Sequence, residues 1–105
     1  MTDLETLIAR LEAATEGSRE LDGEIYSAMS GKATGLNNAD DYTTSIDAAL
    51  TLVPEGYDWD VGRLNGRYIA DVSRKVSEEG WLNQHARGPS SALALCIAAL
   101  KAMKL

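Results

Sequence analysis

Two aspartates, Asp60 and Asp71, are the first residues in this chain whose spacing suggests chemistry. The Asn65-Gly66 pair lies between the β-rich runs YDWDV and RYIADV, and it predicts a two-residue hairpin turn that places Asp60 opposite Asp71. Paired carboxylates can carry out acid–base chemistry or hold a divalent cation. Two carboxylates without further ligands or a phosphate-binding glycine loop are too few for either role. We therefore expect a face that meets solvent or cations.

His85 and Cys96 are each the only residue of their type. A zinc site at His85 would need further ligands, for which Asp60, Asp71 and a distant Cys96 are the nearest candidates. We interpret His85 as an ordinary strand histidine. Cys96 lies in an apolar helical run, where a thiol is buried and unreactive. Ser90-Ser91 precede this run and are interpreted as helix caps. The sequence thus predicts no metal, no cofactor and no catalytic residue.

Basic and aromatic side chains recur together in the predicted strand region. Guanidinium groups bind phosphates and aromatic rings stack on bases, so such a set suits a nucleotide. Alternatively, the aromatic rings belong to the core and the arginines line edges and turns. The set comprises Arg63, Arg67, Arg74, Lys75, His85 and Arg87, with Tyr57, Trp59, Tyr68 and Trp81. From it and the two aspartates we take as candidate residues for binding a ligand or partner Arg63, Arg67, Arg74, Arg87, Asp60 and Asp71.

Length and composition predict one globular domain over residues 1–105. Hydrophobic residues make up 45% and charged residues 25% of the chain, which are ordinary values for a globular protein. A single cysteine excludes an internal disulfide. The opening segment MTDLETLIARLEAATEG is acidic without an apolar core, so it does not predict a signal peptide. No apolar run approaches the roughly 18 residues of a membrane span. We expect a cytoplasmic protein.

Helical patterns flank the predicted hairpin. Apolar spacing predicts helices over 3–14 and 19–30, the second capped by Ser18. A third helix is capped by Thr43 or Thr44 and ended by Pro54. The segment 31–40, rich in glycine and asparagine, predicts a loop. A third strand at 81–86 and a final helix at 91–103 complete an α+β fold, in which three to four helices pack with a small three-stranded antiparallel sheet.

The two-residue turn also predicts which strand residues share a face. Trp59 opposes Val72, Val61 opposes Ala70 and Arg63 opposes Tyr68, and these residues lie on the same face as Tyr57. We expect that face to be the core side, with Trp59 and Val72 buried. The opposite face pairs Asp60 with Asp71 and Gly62 with Ile69.

The closing helix is apolar around most of its circumference. No polar residue stands between Ala92 and Leu100, and a helix apolar all round must be covered on more than one side. If three short helices and a small sheet cover only part of it, a second subunit covers the rest. This pattern predicts a homo-oligomer, most simply a dimer; the alternative is that the N-terminal pair of helices alone closes over it.

Charge is distributed unevenly along the chain. Residues 1–53 contain ten acidic and three basic side chains, whereas residues 54–105 contain six and seven. A basic patch of the kind that binds duplex nucleic acid is missing. The acidic half either keeps the protein soluble or forms a face for a basic partner.

Three segments resemble the bacteriophage "ABA sandwich" domain proteins, small phage and prophage accessory proteins. YTTSIDAALTLV (42–53) is similar to their tyrosine-Ser/Thr-x-isoleucine-x-x-alanine segment, and DLETLIARLEAATEGSRELD (3–22) is similar to their opening. SALALCIAALKAM (91–103) resembles their closing helix, which places on family positions Cys96, Ala98, Ala99 and Leu100. The resemblance covers most of the chain except 31–41 and 74–88.

This resemblance implies an α/β/α layered sandwich, a phage or prophage origin and no assigned catalytic residues. The chain departs from the family in its middle, because a face with Asp60 and Asp71 is unsuited to helical cover on both sides of the sheet.

Three functions from different classes follow. The first is a non-catalytic accessory protein that binds and blocks a component of host anti-phage defence through its acidic half. The second is a sponge that sequesters a nucleotide-type immune signal at a subunit interface, using the arginines and aromatic rings. The third, a small hydrolase using Asp60 and Asp71, has least support.

Overall fold

The computed structural model describes residues 4–30, 40–78 and 80–104. In chain order these residues form α1 (Leu4–Ala13), α2 (Arg19–Ser30), α3 (Ile46–Leu50), β1 (Asp58–Leu64), β2 (Arg67–Ser77), β3 (Gly80–Gly88) and α4 (Ser91–Lys104). The strands form one antiparallel sheet in the order β1-β2-β3. The predicted α+β class, with four helices and a three-stranded antiparallel sheet, is confirmed. Most of the predicted 31–40 loop lies outside the described residues.

Serine hydroxyls cap the N-termini of three of the helices. Ser18 Oγ accepts a hydrogen bond from Leu21 N–H and Ser90 Oγ accepts one from Leu93 N–H, each at 3.2 Å. These contacts satisfy backbone donors that have no partner inside a helix. The predicted caps at Thr43 or Thr44 are wrong, because Ser45 is the N-cap of α3 and accepts from Ala48 N–H.

The Asn65-Gly66 turn has the predicted geometry. Both residues have positive φ, 54° and 79°, as a two-residue turn matched to the twist of a hairpin requires. The strand pairs are those predicted: Trp59 opposes Val72, Asp60 opposes Asp71, and Arg63 opposes Tyr68. Val72 is fully buried.

Trp59 is 47% exposed, so the prediction that it is buried with Val72 is wrong. The physical reason is the position of its strand. β1 is an edge of the sheet, and α4 packs mainly on β2 and β3. The inward-facing residues of β1 therefore lie beyond most of the helix that covers their neighbours.

α4 lies at the centre of the molecule. It packs on the sheet, and α1 and α3 pack on α4, while α2 packs on α1. The layers thus run from the sheet through α4 to the other helices. Every residue from Ala92 to Leu100 is buried.

The apolar surface of α4 is therefore covered within one chain, by the sheet, α1 and α3, and not by the N-terminal pair of helices alone. The prediction of a dimer rested on an uncovered strip on α4, and the chain's own sheet and helices cover that strip. A dimer would have to use another surface.

Candidate functional site

The face of the sheet opposite α4 carries three ionisable residues in one row across the strands. Asp60 pairs with Asp71, and Asp71 pairs with His85 on the third strand. His85 Nδ1 and Asp71 Oδ1 are in hydrogen-bond contact. Asp71 thus has the carboxylate of Asp60 on one side and the imidazole of His85 on the other, because directly opposed residues of antiparallel strands are neighbours.

This row is open to solvent. The side chain of His85 is 71% exposed and that of Asp71 is 41% exposed, and Asp60 is exposed as well. High local dielectric keeps interactions between such groups weak. Within the described residues, no group of three His, Cys, Asp or Glu side chains is placed to hold a metal ion.

The candidate arginines are divided between the two faces of the sheet. By the alternation of strand residues, Arg67 and Arg87 share the open face with Asp60 and Asp71. Arg63 and Arg74 are on the α4 side. The predicted single set of arginines and aromatic rings therefore does not form one site.

On the open face, Arg67 and Arg87 line a small depression of about 70 Å³. Leu64, Asn65 and Ile69 form the rest of its wall. Pockets for ligands of drug size usually measure roughly 300 Å³ or more. In a single chain this depression can take an anionic group but cannot enclose a nucleotide.

On the α4 side, both arginines lie over aromatic rings. Arg63 is 5.6 Å from the centroid of Tyr68, and Arg74 is 5.4 Å from that of Tyr57. Such contacts are favourable cation–π arrangements. Together with Trp59, these two arginines and two tyrosines form a partly exposed strip at the β1 edge of the sheet. We call it the β1 strip (Tyr57, Trp59, Arg63, Tyr68 and Arg74). Tryptophan, tyrosine and arginine are the residues most enriched where proteins bind one another.

The helical side of the molecule is strongly acidic. Residues 4–30 and 40–53 hold nine acidic and two basic side chains. We call its exposed carboxylates the acidic helical surface, and they are Glu5, Glu12, Glu16, Glu20, Asp40, Asp41 and Asp47.

Its two arginines join neighbouring segments. Arg10 contacts Glu20 and Glu24 and so links α1 to α2. Arg19 contacts Asp22 and Asp41 and links α2 to the segment before α3. Each arginine is thus shared between two carboxylates, and this side keeps a large negative excess.

A contact between two buried polar residues, Asp22 and Thr43, was not predicted from the sequence. The Asp22 carboxylate accepts hydrogen bonds from Thr43 N–H at 2.9 Å and from the Thr43 hydroxyl at 2.7 Å. The same hydroxyl accepts from Ser18 N–H at 2.9 Å. Because the partners are more than 20 positions apart, no local pattern could have indicated this contact. Its full hydrogen bonding is typical of a structural group.

Cys96 is fully buried, as predicted, and its thiol donates to the Tyr42 carbonyl at 3.0 Å. Burial raises the pKa of the Cys96 thiol well above its ordinary value, and the nearby Asp22 carboxylate adds to the effect. Burial and Asp40 likewise raise the pKa of Tyr42. At neutral pH Cys96 is therefore a protonated core residue, and only the thiolate is a nucleophile.

Comparisons with known proteins add no relative. No protein-family model, curated protein or solved structure matches the chain. In addition, no helix among the described residues is both long enough and apolar enough to cross a membrane.

Proposed function

We propose that this protein is a phage or prophage accessory protein that binds and blocks a component of host defence in the host cytoplasm. It acts by contact and not by catalysis. The acidic helical surface is the observation that supports binding, and the phage setting rests on the resemblance of the α1, α3 and α4 segments to ABA sandwich proteins.

The charge distribution indicates the chemistry of the partner. A surface on which exposed carboxylates outnumber arginines seven to two over 4–30 and 40–53 attracts a basic protein surface and speeds encounter with it. The two arginines add rigidity, since they connect α1, α2 and the segment before α3. A rigid surface loses little entropy on binding.

The positions of the residues that could act as catalysts favour binding over catalysis. The Asp71–His85 pair lies on a solvent-exposed strand face, whereas catalytic acid–base groups usually work in sites that exclude water. The thiol of Cys96 is buried in α4.

The test neutralises acidic side chains without changing their shape. Glu16→Gln, Asp40→Asn and Asp47→Asn together remove three charges from the acidic helical surface. The matched control, Glu55→Gln with Asp58→Asn and Glu78→Gln, removes three exposed charges elsewhere. Each protein is expressed in bacteria that carry single defence systems, and phage plating is counted.

We expect the wild-type chain to restore plating against one system, the first triple variant to lose about tenfold or more of that effect, and the control to keep it. Binding to the isolated target should weaken as salt rises. Equal plating by the two triple variants, or no restoration against any system, would contradict the proposal.

Sequestration of a nucleotide-type signal is the second candidate, and the Arg67–Arg87 depression is the observation that favours it. Its size requires that a second subunit complete the site. Cyclic nucleotides should then raise the melting temperature of the wild type but not of Arg67→Ala or Arg87→Ala. The triple variant of the acidic helical surface would behave as wild type in this assay, which separates the two functions.

A further inference from the structure

The outer edge of β1 has no strand beside it among the described residues. β1 pairs with β2 on one side only, and six of its seven residues are exposed. An edge strand presents unpaired backbone donors and acceptors, and proteins usually guard such edges or use them for pairing. β1 contains no proline or lysine, and its Trp59 is 47% exposed.

The hairpin turn determines which backbone groups point outward. A two-residue turn makes Leu64 and Arg67 a hydrogen-bonded pair, and antiparallel pairs alternate along the strands. The N–H and C=O groups of Trp59, Val61 and Arg63 therefore point away from β2. Their side chains all lie on the α4 side of the sheet.

From this arrangement we propose that two copies of the chain pair through β1, antiparallel and about a two-fold axis at Val61. In that register Val61 opposes Val61 of the second copy, and Trp59 opposes Arg63 of the second copy. Each such pair exchanges two backbone hydrogen bonds. The two three-stranded sheets become one continuous sheet.

Side-chain complementarity selects this register. The two-fold axis creates two equivalent pairs, in each of which Trp59 of one copy opposes Arg63 of the other. Each pair places a guanidinium beside an indole ring. Arg63 is already held over Tyr68 at 5.6 Å, so that it would lie between two aromatic side chains. On the open face, Asp60 faces Gly62 of the second copy instead of another carboxylate.

The neighbouring registers are worse. An axis at Asp60 would oppose that carboxylate to its own copy, and directly opposed like charges destabilise a strand pair. An axis at Gly62 would leave Trp59 beyond the end of the partner strand. The occupant that best matches the edge of β1 is therefore β1 itself. This dimer leaves the acidic helical surface exposed and does not depend on the function proposed for it.

A proline at an outward-pointing position tests the pairing. Val61→Pro removes an N–H that the dimer uses, while the hydrogen bonds between β1 and β2 do not use it. The matched control is Asn83→Pro on β3, the opposite edge, where the same alternation turns the N–H outward. Circular dichroism and thermal melting show whether each variant is folded.

Sedimentation equilibrium over low to high micromolar concentrations measures the association. We expect a reversible dimer of the wild type and of Asn83→Pro, and dissociation constants at least about tenfold higher for folded Val61→Pro. Because each copy has a net charge of −6, added salt should strengthen the dimer. A mass of one chain at all concentrations, or a dimer that survives Val61→Pro, overturns the proposal.

Cysteine cross-linking tests the register even if the proline variant does not fold. At a hydrogen-bonded antiparallel pair the Cα atoms lie about 5.5 Å apart, within disulfide range. Val61→Cys should therefore form a covalent dimer on oxidation, and Arg63→Cys, whose copies lie four positions apart, should not. Cys96 is buried and stays out of the reaction. Any other pattern overturns the register.

Discussion

Thr43 joins the start of α2 to the segment that precedes α3. Its hydroxyl lies between Ser18 N–H and the Asp22 carboxylate, and its own N–H donates to the same carboxylate. The backbone approaches so closely here that a Cβ on Gly17 would stand 2.3 Å from the Thr43 carbonyl oxygen. Glycine at 17 is thus required by space. Burial of a carboxylate such as Asp22 is costly in free energy unless its oxygens accept hydrogen bonds, so the fold depends on these partners.

Substitution of Thr43 by valine keeps the shape of the side chain and removes its hydroxyl. The change leaves the Ser18 N–H and one contact of the Asp22 carboxylate without a partner. We expect a loss of about 1–3 kcal/mol in the free energy of unfolding, measured by urea denaturation.

The matched control is Thr44→Val at the exposed neighbouring position, which should change stability by less than about 0.5 kcal/mol. Equal effects of the two substitutions would show that the Thr43 hydroxyl is not a stabilising contact.

At the scale of elements, the β1–β2 hairpin determines which candidate residues of the first two strands face one another. The turn at Asn65-Gly66 determines the register of β1 with β2, and β3 pairs with β2 in a second register that runs without a shift from Tyr68 to Lys75. A shift of one residue would exchange the two faces. The turn therefore places Asp60 opposite Asp71, and the separate β2–β3 register adds His85 to the same row.

Gly66→Ala should weaken this hairpin. At φ 79° a Cβ is strained even though nothing lies within 4 Å of it, and we expect a loss of about 1 kcal/mol by urea denaturation at low protein concentration.

Gly62→Ala is the control, because its φ is not positive and its Cβ would meet Ile69 at an ordinary 3.8 Å. Alanine at 62 should be neutral or slightly stabilising, since glycine weakens a strand interior. If the two substitutions cost the same, the positive φ of Gly66 does not contribute to the stability of the hairpin.

For the whole molecule, α4 is the layer that connects the sheet to the remaining helices. Leu93, Leu95 and Leu100 have no exposed surface. Small residues such as Ala98 and Ala99 let the neighbouring elements approach. One helix thus supplies the contacts that keep both sides of the fold together.

Leu100→Ala should therefore destabilise the entire chain. A cavity in a packed core costs about 2–5 kcal/mol for this substitution, and circular dichroism should show helix and sheet signals melting together at a lower temperature.

Leu64→Ala, at a side chain that is 55% exposed, is the control and should cost less than about 0.5 kcal/mol. Separate melting of helices and sheet in the Leu100 variant would contradict a single core centred on α4.

Features determined by near neighbours in the chain could be predicted from the sequence. The Asn65-Gly66 turn defined the strand pairs because a two-residue loop permits one register. Ser18 and Ser90 indicated helix starts because a cap acts on an N–H three residues away. The apolar run around Cys96 predicted a buried helix, because a helix with apolar residues on all sides must be covered on more than one side.

The features that depend on which surfaces meet were decided only by tertiary structure. By the alternation of strand residues, Trp59 lies on the same face of the sheet as the core residue Val72. Its exposure, however, depends on how far α4 extends over the edge strand. The sequence showed that α4 must be covered, and only packing decided that α1, α3 and the sheet cover it within one chain. The contact of Thr43 with Asp22 has no local signal, because its energy comes from burial shared by residues distant in sequence.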